Sequence, residues 1–447
     1  MTVNDINPYR GVSAFIKRLH FYIGLFIGPF IFMAALTGTL YVLTPQIEQA
    51  IYHQELTTTS HGEPQALSAQ IAAARHSLPE PLMIKSVRPA PAVGETTRVL
   101  FTDPTLDRAR LRTVFVDPVT LEIKGELASY GTSGVLPLRI AIDFLHTDLL
   151  LGPVGRYYSE LAASWMWIAA LGGIFLWWQQ RRSFNNKSKS GSYAQYRSRH
   201  AKVAIWISLG LIFFSATGLT WSKWAGGNIS QWRNSIGWVT PSVSRQLPIN
   251  MGSKAANTAS KAVDIKDSEF DGVLAAARQS GIDAGKIEIV PSYKNNTAWL
   301  VSEVDRSWPT QVDSISVEPI SMTVIDHAEF KNFPIVAKLI RWGIDAHMGV
   351  LFGWPNQLIL AVFGISLCTV IAWGYVIWWK RRPMAANTNE TLVEVWLKLA
   401  PLAKVLVIVF AVLFGYALPL MGCSLLLFCM IDVIRWRLVA HRSQQLA

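Results

Sequence analysis

Long apolar blocks constrain this chain more than any other feature of its sequence. Six blocks are visible, at about 19 to 43, 157 to 178, 202 to 222, 357 to 379, 400 to 417 and 419 to 436. A helix of about 20 residues is about 30 Å long, which is the thickness of the hydrocarbon core of a bilayer. We therefore predict an integral membrane protein with six helices, the last two joined as a tight hairpin around GYALPLMG, residues 415–422.

Basic residues mark one side of the predicted membrane. They precede the first block, follow the fourth and sixth, and fill the segment 179–202, which has seven Lys or Arg and no acid. Because positive loops stay in the cytoplasm, we expect both termini inside and the segments 45–145 and 224–340 in the periplasm, with the protein in a bacterial inner membrane. The same loops supply most of the net charge of +11, so no nucleic-acid partner is expected.

The two exported segments have mixed polar composition with strand-like runs such as LRTVFVDP and KIEIVPS. Pro, Gly and Asn separate these runs, which is typical of small α+β domains. The first apolar block is longer than the apolar region of a signal peptide, so we expect a retained anchor. Six segments follow: 1–44 with the first helix, 45–145 and 223–340 as exported domains, 146–222 with the second and third helices, 341–382 with the fourth, and 383–447 as a C-terminal helical hairpin.

Internal repetition is readable in the positions of a few landmark residues. In one set, His20, Thr37 and Gly38 recur at a constant offset as His200, Thr217 and Gly218. In a second set, Pro118, His146, Gly152, Trp177 and Trp178 recur at another constant offset as Pro319, His347, Gly353, Trp378 and Trp379. Each half then reads as helix, exported domain, helix. Both halves enter the membrane from the same side, so we predict two parallel repeats related by an axis along the membrane normal.

Four histidines belong to these repeats and are the candidate ligands. His20 and His200 lie at cytoplasmic helix ends, and His146 and His347 lie on the outer side. A twofold arrangement pairs His20 with His200 and His146 with His347. A single histidine at a membrane boundary is most often an interfacial side chain, but four at matching positions favour a function.

Two histidine pairs fit haem iron, which proteins hold by axial ligands. Zinc stays open as an alternative because Asp143, Asp148 and Asp345 lie near the outer histidines, although zinc normally takes three or four protein ligands. No C-x-x-C-H motif occurs, so two b-type haems, bound noncovalently, are expected. Candidate partners for their propionates are Arg139, Arg156, Arg341, Tyr157 and Tyr158 on the outer side and Lys17, Arg18 and Arg199 on the inner side.

The segments RLHFYIGLFIGPFIFMAALTGTLYV, VFVDPVTLEIKGEL, FLHTDLLLGPVGRYY and the closing WWQQRR or WWKRR resemble the PepSY-associated membrane-helix family. This family includes iron-regulated membrane proteins and ferric-siderophore reductases of the ferrioxamine-reductase type. The resemblance covers about residues 10 to 385. Leu121 stands where the PepSY turn often has glycine, and the second copy, VEPISMTVIDH, has Ser321 and Met322 at its turn.

The resemblance implies a dihaem oxidoreductase with PepSY-like exported domains. Its motif histidines fall on His20, His146, His200 and His347, as axial ligands of haem iron that pass electrons outward to a ferric siderophore. No catalytic acid or base is expected. The sequence has no nucleotide- or flavin-binding motif, so the electron donor is expected to be a quinol or a separate cytoplasmic reductase.

Two other functions compete with this interpretation. One is a transport accessory or permease that moves a siderophore or its iron without redox chemistry; the other is a module whose exported domains bind or inhibit a peptidase. We expect the membrane helices to lack intramembrane acids and also the helix breaks that transporters use for binding, with Pro29 as the main exception. Both expected absences argue against transport.

Overall fold

A computed structural model of the chain describes residues 8–185, 191–247, 264–381 and 391–445. Predictions that fall on other residues, including the centre of the basic segment 179–202 and Arg382, lie outside this part. The chain divides into two compact units. The first, called the helical unit here, comprises Met1–Tyr41, Asp143–Gly237 and Leu358–Ala447, and the second, called the sheet unit, comprises Val42–Ile142 and Trp238–Gln357.

Fifteen α-helices and eight strands form the described chain. The helices are α1 (Pro8–Tyr22), α2 (Gly28–Val42), α3 (Thr44–Ile51), α4 (His53–Leu56), α5 (Leu67–His76), α6 (Pro137–Asp148), α7 (Arg156–Asn185), α8 (Ser192–Thr220), α9 (Trp224–Ser235), α10 (Asp267–Gln279), α11 (Ile335–His347), α12 (Trp354–Arg381), α13 (Leu392–Leu397), α14 (Pro401–Ala417) and α15 (Pro419–Gln445). A π-helical turn, Ile23–Ile27, connects α1 to α2, and a short 3₁₀ turn covers Phe330–Asn332. The strands are β1 (Met83–Arg88), β2 (Thr97–Thr102), β3 (Leu111–Val116), β4 (Ile123–Ser129), β5 (Ile287–Val290), β6 (Trp299–Glu303), β7 (Ser314–Val317) and β8 (Val324–Ala328).

Five helical segments of the described chain are long and apolar enough to cross a membrane. They are Gly11–Val42, Arg156–Gln180, Ser192–Thr220, Trp354–Arg381 and Pro419–Leu438. The remaining predicted block, at about 400 to 417, corresponds to α14, an apolar helix of 17 residues. It is therefore shorter than the other five.

The helical unit packs its membrane-length helices through small residues and aromatic rings. Trp165 on α7 is 1% exposed and lies in a core that includes Ile23 and Ile27 of the π-helical turn. A methyl group added at Gly364 on α12 would lie 3.2 Å from the carbonyl oxygen of Ala35 on α2. Close contacts of this kind are typical of membrane helices, because their association depends on packing rather than on the exclusion of water.

The two C-terminal helices α14 and α15 meet back to back at glycines. A methyl group at Gly422 would lie 2.8 Å from the carbonyl oxygen of Gly415. The break between the helices is at Leu418. Proline follows it at position 419, where the first turn of a helix tolerates a residue without an N–H. This is the position at which the sequence predicts a hairpin.

The sheet unit contains one antiparallel sheet with the strand order β4-β3-β2-β1-β5-β6-β7-β8. Its central contact joins β1 to β5, with Val87 opposite Ile289. Helices α5 and α10 cover one face, where Phe270 and Trp299 are almost fully buried. Alternate residues of each strand point to that face, as expected for a half-covered sheet.

The two segments that we predict to be exported therefore do not form two separate folded bodies. Each contributes four strands and one covering helix, and the two sets join into one sheet within one compact unit. An exposed edge at β1 or β5 would leave unpaired backbone N–H and C=O groups. Pairing these two strands removes both edges, which is the physical reason for the single sheet.

Both PepSY-like turns are formed despite their missing glycines. Leu121 has φ of 64° and Met322 has φ of 56°. In each turn the non-glycine residue donates its N–H to the carbonyl of the acidic residue at the start, over 3.0 Å to Asp117 and 2.9 Å to Glu318. These hydrogen bonds hold the backbone of both residues at a positive φ, a conformation that normally favours glycine.

Candidate functional site

His20 and His200 are brought together in the helical unit. His20 lies on α1 and His200 on α8, and their rings are near enough for an electrostatic interaction between them. Each ring rests against glycine. A methyl group added at Gly172 or Gly173 of α7 would lie 3.6 Å from Nδ1 or 3.4 Å from Cε1 of His20. One added at Gly374 of α12 would lie 3.7 Å from Cε1 of His200.

The backbone of a neighbouring helix orients these two rings. Nδ1 of His200 lies 2.9 Å from the carbonyl oxygen of Val370. The corresponding residue beside His20 is Ala169, which matches Val370 in the register of the second landmark set and whose backbone also interacts with the ring. Nδ1 of His20 is nevertheless buried without a hydrogen bond of normal geometry in the described structure. A ring whose Nδ1 faces a carbonyl has Nε2 available for a metal.

The ring of His146 contacts α2, through a hydrogen bond and through van der Waals packing. Its Nδ1 lies 3.0 Å from Oγ1 of Thr37, and that hydroxyl donates over 2.7 Å to the carbonyl of Met33. The hydroxyl proton is thus used, so Nδ1 of His146 is the donor and Nε2 is the unprotonated nitrogen. A methyl group at Gly38 would lie 3.2 Å from Cε1 of the ring. Thr37 and Gly38 therefore form the surface that the His146 ring contacts, which we call its seat. In the sequence these two residues repeat together with His20, not with His146.

The protonation state of His146 suits a metal ligand. Burial lowers the pKa of this imidazole to about 4, against a smaller opposing effect from the carbonyl of Ala34. The ring is therefore neutral at pH 7, which is the form that binds metals.

His347 belongs to the sheet unit, where it ends α11. Asp345 and Arg341 of this helix form a charged cluster with Arg306, which lies between β6 and β7. Asp345 is fully buried, and its Oδ1 accepts a hydrogen bond of 2.6 Å from Nε of Arg306. Burial raises the pKa of Asp345, with Arg306 and Arg341 opposing. Burial also lowers the pKa of the Arg341 guanidinium.

The other predicted propionate partners are divided between the units. Arg139 lies on α6 in the sheet unit, where it is 9% exposed and near the carboxylate of Glu48. Arg156 begins α7 in the helical unit and donates to the carbonyl of Trp221. Tyr158 donates its hydroxyl to the carbonyl of His146, and Tyr157 lies against Trp224 with ring centroids 4.6 Å apart.

The predicted inner partners lie near His20 and His200 in the chain, with different contacts. Arg18 donates over 3.3 Å to the hydroxyl of Tyr22. Lys17 and Arg199 are exposed. Their assignment to propionates stays a prediction.

The residues of the helical unit supply some of the features that a haem with two imidazole ligands would need. The rings of His20 and His200 lie near each other, each ring packs against a glycine, and Nδ1 of His20 is a buried polar atom without a hydrogen bond. Among the described residues, no group of three or more His, Cys, Asp or Glu converges in a way that could hold a metal ion. That donor set is the one that zinc would need, whereas an axially held haem iron needs two.

Two buried carboxylates inside membrane segments correct a sequence expectation. Asp432 on α15 and Glu160 on α7 are each 1% exposed, contrary to the prediction that the membrane helices lack acids. Glu160 accepts the N–H groups of Trp224 and Ala225 over 3.0 and 2.9 Å. Asp432 accepts the hydroxyl of Tyr22 and, over 2.8 Å, the N–H of Val393. Both carboxylates therefore satisfy the first N–H groups of a helix, α9 or α13, which apolar periodicity does not reveal.

Comparison with known proteins identifies the family. No curated protein matches the chain. The family described as the PepSY-associated TM region matches residues 17–381. That match covers most of the chain, from just before His20 to the end of α12, and leaves α13, α14 and α15 outside. The chain belongs to the PepSY-associated TM family of membrane proteins.

Proposed function

We propose that this protein is a dihaem oxidoreductase of the bacterial inner membrane that passes electrons outward to ferric siderophores. The inner b-type haem is assigned to His20 and His200, and the outer one to His146 and His347. In this proposal the iron is released in the periplasm. Each haem would supply a one-electron centre that alternates between ferric and ferrous iron.

The convergence of His20 and His200 is the observation that carries the proposal. The two rings come from helices in different halves of the chain and interact across the bundle. A glycine of the neighbouring helix lies against each ring, so these helices can approach the imidazoles closely. Nδ1 of His20 is buried without a hydrogen bond, and most buried polar atoms in proteins have a partner.

The residues of the chain have positioning roles in this proposal. The carbonyl of Val370 and the hydroxyl of Thr37 fix the Nδ1 protons of His200 and His146, which leaves Nε2 for iron. Such outer partners increase ligand basicity and set ring orientation. No side chain is required to act as an acid or a base, because electron transfer breaks no bond to hydrogen in the protein.

We also infer that the chain is a parallel duplication. The strand order reads the same from both edges toward β1 and β5. Leu121 and Met322, and also Ala169 and Val370, occupy matching surroundings in the register of the second landmark set. In a parallel duplication both halves cross the membrane in the same direction, with both termini in the cytoplasm and the sheet unit in the periplasm.

A difference spectrum of the purified protein tests the cofactor assignment. The dithionite-reduced minus oxidised spectrum should show the sharp bands of b-type haem. Adding ferrioxamine B to the reduced protein under argon should restore the oxidised spectrum. A colourless preparation contradicts the cofactor assignment, whereas a coloured protein that stays reduced contradicts only the substrate.

Transport without redox chemistry is the second candidate. Asp432 and Glu160 weaken the sequence argument against it, because intramembrane acids often mark transport pathways. Both carboxylates, however, accept backbone N–H groups at helix starts, which supports a structural role. A protein without haem that accumulates ferrioxamine in proteoliposomes would favour transport.

A further inference from the structure

Helix α11 of the sheet unit has its charged and apolar sides in the reverse of the usual arrangement. At about 100° per residue, the charged positions Lys338, Arg341 and Asp345 share one side of the helix. The apolar positions that share the other side are Ile335, Val336, Leu339, Ile340 and Trp342. A helix on the surface of a water-soluble domain turns its apolar side toward the core and its charged side toward water.

In α11 the charged side is the one that faces the protein. Asp345 is fully buried, and Ala337 on the same side is 3% exposed. On the apolar side, Ile335 is 62% exposed and Leu339, one turn later, is 58% exposed. The exposure of the two sides is therefore opposite to that of a helix that packs on a hydrophobic core.

An ion pair with the loop between β6 and β7 fixes this orientation. Nε of Arg306 donates over 2.6 Å to Oδ1 of Asp345, and Nη1 of Arg306 donates over 2.8 Å to the hydroxyl of Ser133. Rotating α11 to bury Ile335 would separate Asp345 from Arg306. Removing one partner of a buried ion pair is strongly destabilising, so the apolar side stays outward.

Aromatic side chains extend the apolar side of α11. The ring centroid of Trp308 lies 5.7 Å from that of Trp342 and 6.0 Å from that of Phe352. Trp308, Phe352 and the nearby Trp354 are each more than half exposed. Indole rings beside exposed aliphatic side chains are typical of the membrane–water interface. We define the α11 surface as the exposed side chains of Ile335, Leu339, Trp308, Phe352 and Trp354.

The chain connects the α11 surface directly to a membrane-length helix. Residues 348–353 separate the end of α11 from Trp354, the first residue of α12. The segment Trp354–Arg381 is long and apolar enough to cross a bilayer. Early in this segment, Leu358, Ile359 and Val362 are also more than half exposed. The apolar surface therefore continues from α11 onto the part of α12 that enters the bilayer.

We propose that α11 is an interfacial helix whose apolar surface binds phospholipid, in the leaflet that α12 enters at Trp354. An amphipathic helix in this position buries its apolar face about 5–10 Å into the boundary between headgroups and acyl chains. Phospholipid is the occupant, rather than a second copy of the chain, because the surface is continuous with a helix that lipid surrounds. The sheet unit is then attached to the surface of the bilayer through α11.

The experiment measures the depth of a nitroxide spin label on single cysteines. The protein, without its native cysteines, is placed in liposomes of phosphatidylcholine and phosphatidylglycerol. The test position is Leu339→Cys. The matched control is Ile320→Cys, because Ile320 is an almost fully exposed aliphatic residue of the same unit, in the turn between β7 and β8. Val362→Cys, on α12, is the reference for a position in lipid.

Electron paramagnetic resonance gives the collision rate of each label with two reagents. Oxygen concentrates in lipid, and nickel ethylenediaminediacetate stays in water. The oxygen-to-nickel ratio at Leu339→Cys should be severalfold above that at Ile320→Cys, and the label should lie about 5–10 Å below the lipid phosphates. The label at Val362→Cys should lie deeper. Ile335→Cys gives the same comparison on the same side of α11 if Leu339→Cys does not fold.

The proposal is overturned if nickel reaches the label at Leu339→Cys as readily as the label at Ile320→Cys, because the surface is then in water. It is also overturned if neither reagent reaches the label, because a second copy of the chain then covers the surface. If the label at Val362→Cys is in water too, α12 does not enter the bilayer and the proposal fails with it. These results do not depend on haem, so they are distinct from a failure of the redox function.

Discussion

The histidine seats depend on groups beside the imidazoles as much as on the imidazoles themselves. The hydroxyl oxygen of Thr37 accepts a hydrogen bond from Nδ1–H of His146, because its own O–H donates to the carbonyl of Met33. Val370 does the same for His200 with a backbone carbonyl. A mutation can remove the side-chain hydroxyl of Thr37, but it cannot remove the backbone carbonyl of Val370.

Replacing Thr37 by Val should weaken outer haem binding about tenfold to a hundredfold, as for other partners of metal-binding histidines. Valine has the shape of threonine but cannot accept the Nδ1 proton. The rate of haem transfer to apomyoglobin measures the effect, and Thr37→Ser, which retains the hydroxyl, is the control. Equal rates for Val and Ser would show that the hydroxyl does not orient the ring.

Replacing Gly38 by Ala should displace the ring of His146. The added methyl group would lie 3.2 Å from Cε1, which is closer than ordinary van der Waals contact, and such overpacking typically costs about 1–3 kcal/mol. Loss of haem with protein still in the membrane is the expected result. Gly24→Ala is the control, because a methyl group there meets no atom within 4 Å; similar haem loss in both variants would contradict the seat.

At the scale of elements, the C-terminal hairpin is attached to the family core by a buried acid. Asp432 joins α15 to Tyr22 on α1 and to the start of α13. The hydroxyl of Tyr22 also receives a hydrogen bond of 3.2 Å from Arg435. Aromatic contacts extend this attachment, with the rings of Trp165 and Phe428 5.6 Å apart.

Asp432→Ala should loosen the hairpin, because it leaves the Tyr22 hydroxyl and the Val393 N–H buried without an acceptor, at about 1–3 kcal/mol each. Limited proteolysis should cut the variant faster between α12 and α13 than wild type. Asp432→Asn keeps one acceptor oxygen and should be intermediate. If alanine and asparagine are both as resistant as wild type, the carboxylate does not hold the hairpin.

The join between β1 and β5 depends on a buried ion pair as well as on backbone pairing. Glu288→Ala leaves Arg88 buried without a carboxylate, which typically costs about 3–5 kcal/mol. The melting temperature of the protein should fall accordingly. Glu126→Ala is the control, since its pair with Arg112 is partly exposed and exposed pairs contribute about 0–1 kcal/mol. Equal losses in the two variants would contradict the role given to Glu288.

The sequence predicts individual elements better than their assembly. The apolar blocks locate five membrane-length helices and the hairpin break, because a run of about 20 apolar residues has few other stable states in water or lipid. The single sheet was not predictable in the same way. Val87 and Ile289 lie in two different segments of the chain, and two membrane-length apolar blocks, 157–178 and 202–222, separate them in the sequence. Strand periodicity does not specify a partner at such a separation.

For the candidate site too, the sequence predicts the individual residues better than their contacts. Repetition of His20, His200, His146 and His347 is a sequence signal, whereas the seats of these rings require the packed helices. Thr37 and Gly38 were visible as repeated landmarks, but only the position of α6 assigns them to His146. Asp432 gave no periodic signal because a single cap residue has no pattern.

At the scale of the whole molecule, the proposed orientation in the membrane rests on the distribution of positive charge. Val93 lies in the sheet unit and is 94% exposed. In a variant without native cysteines, Val93→Cys in intact spheroplasts should react with a membrane-impermeant maleimide. Lys380→Cys, at the end of α12, should react only after the membrane is opened. The reverse pattern would invert the proposed topology.

The pairing of His20 with His200 is tested most directly by the haem-to-protein ratio of three variants. Wild type should contain two haems, and His20→Ala, His200→Ala and the double variant should each contain one, because both histidines are proposed to hold the same haem. Losses that add, so that the double variant has fewer haems than either single variant, would contradict the pairing.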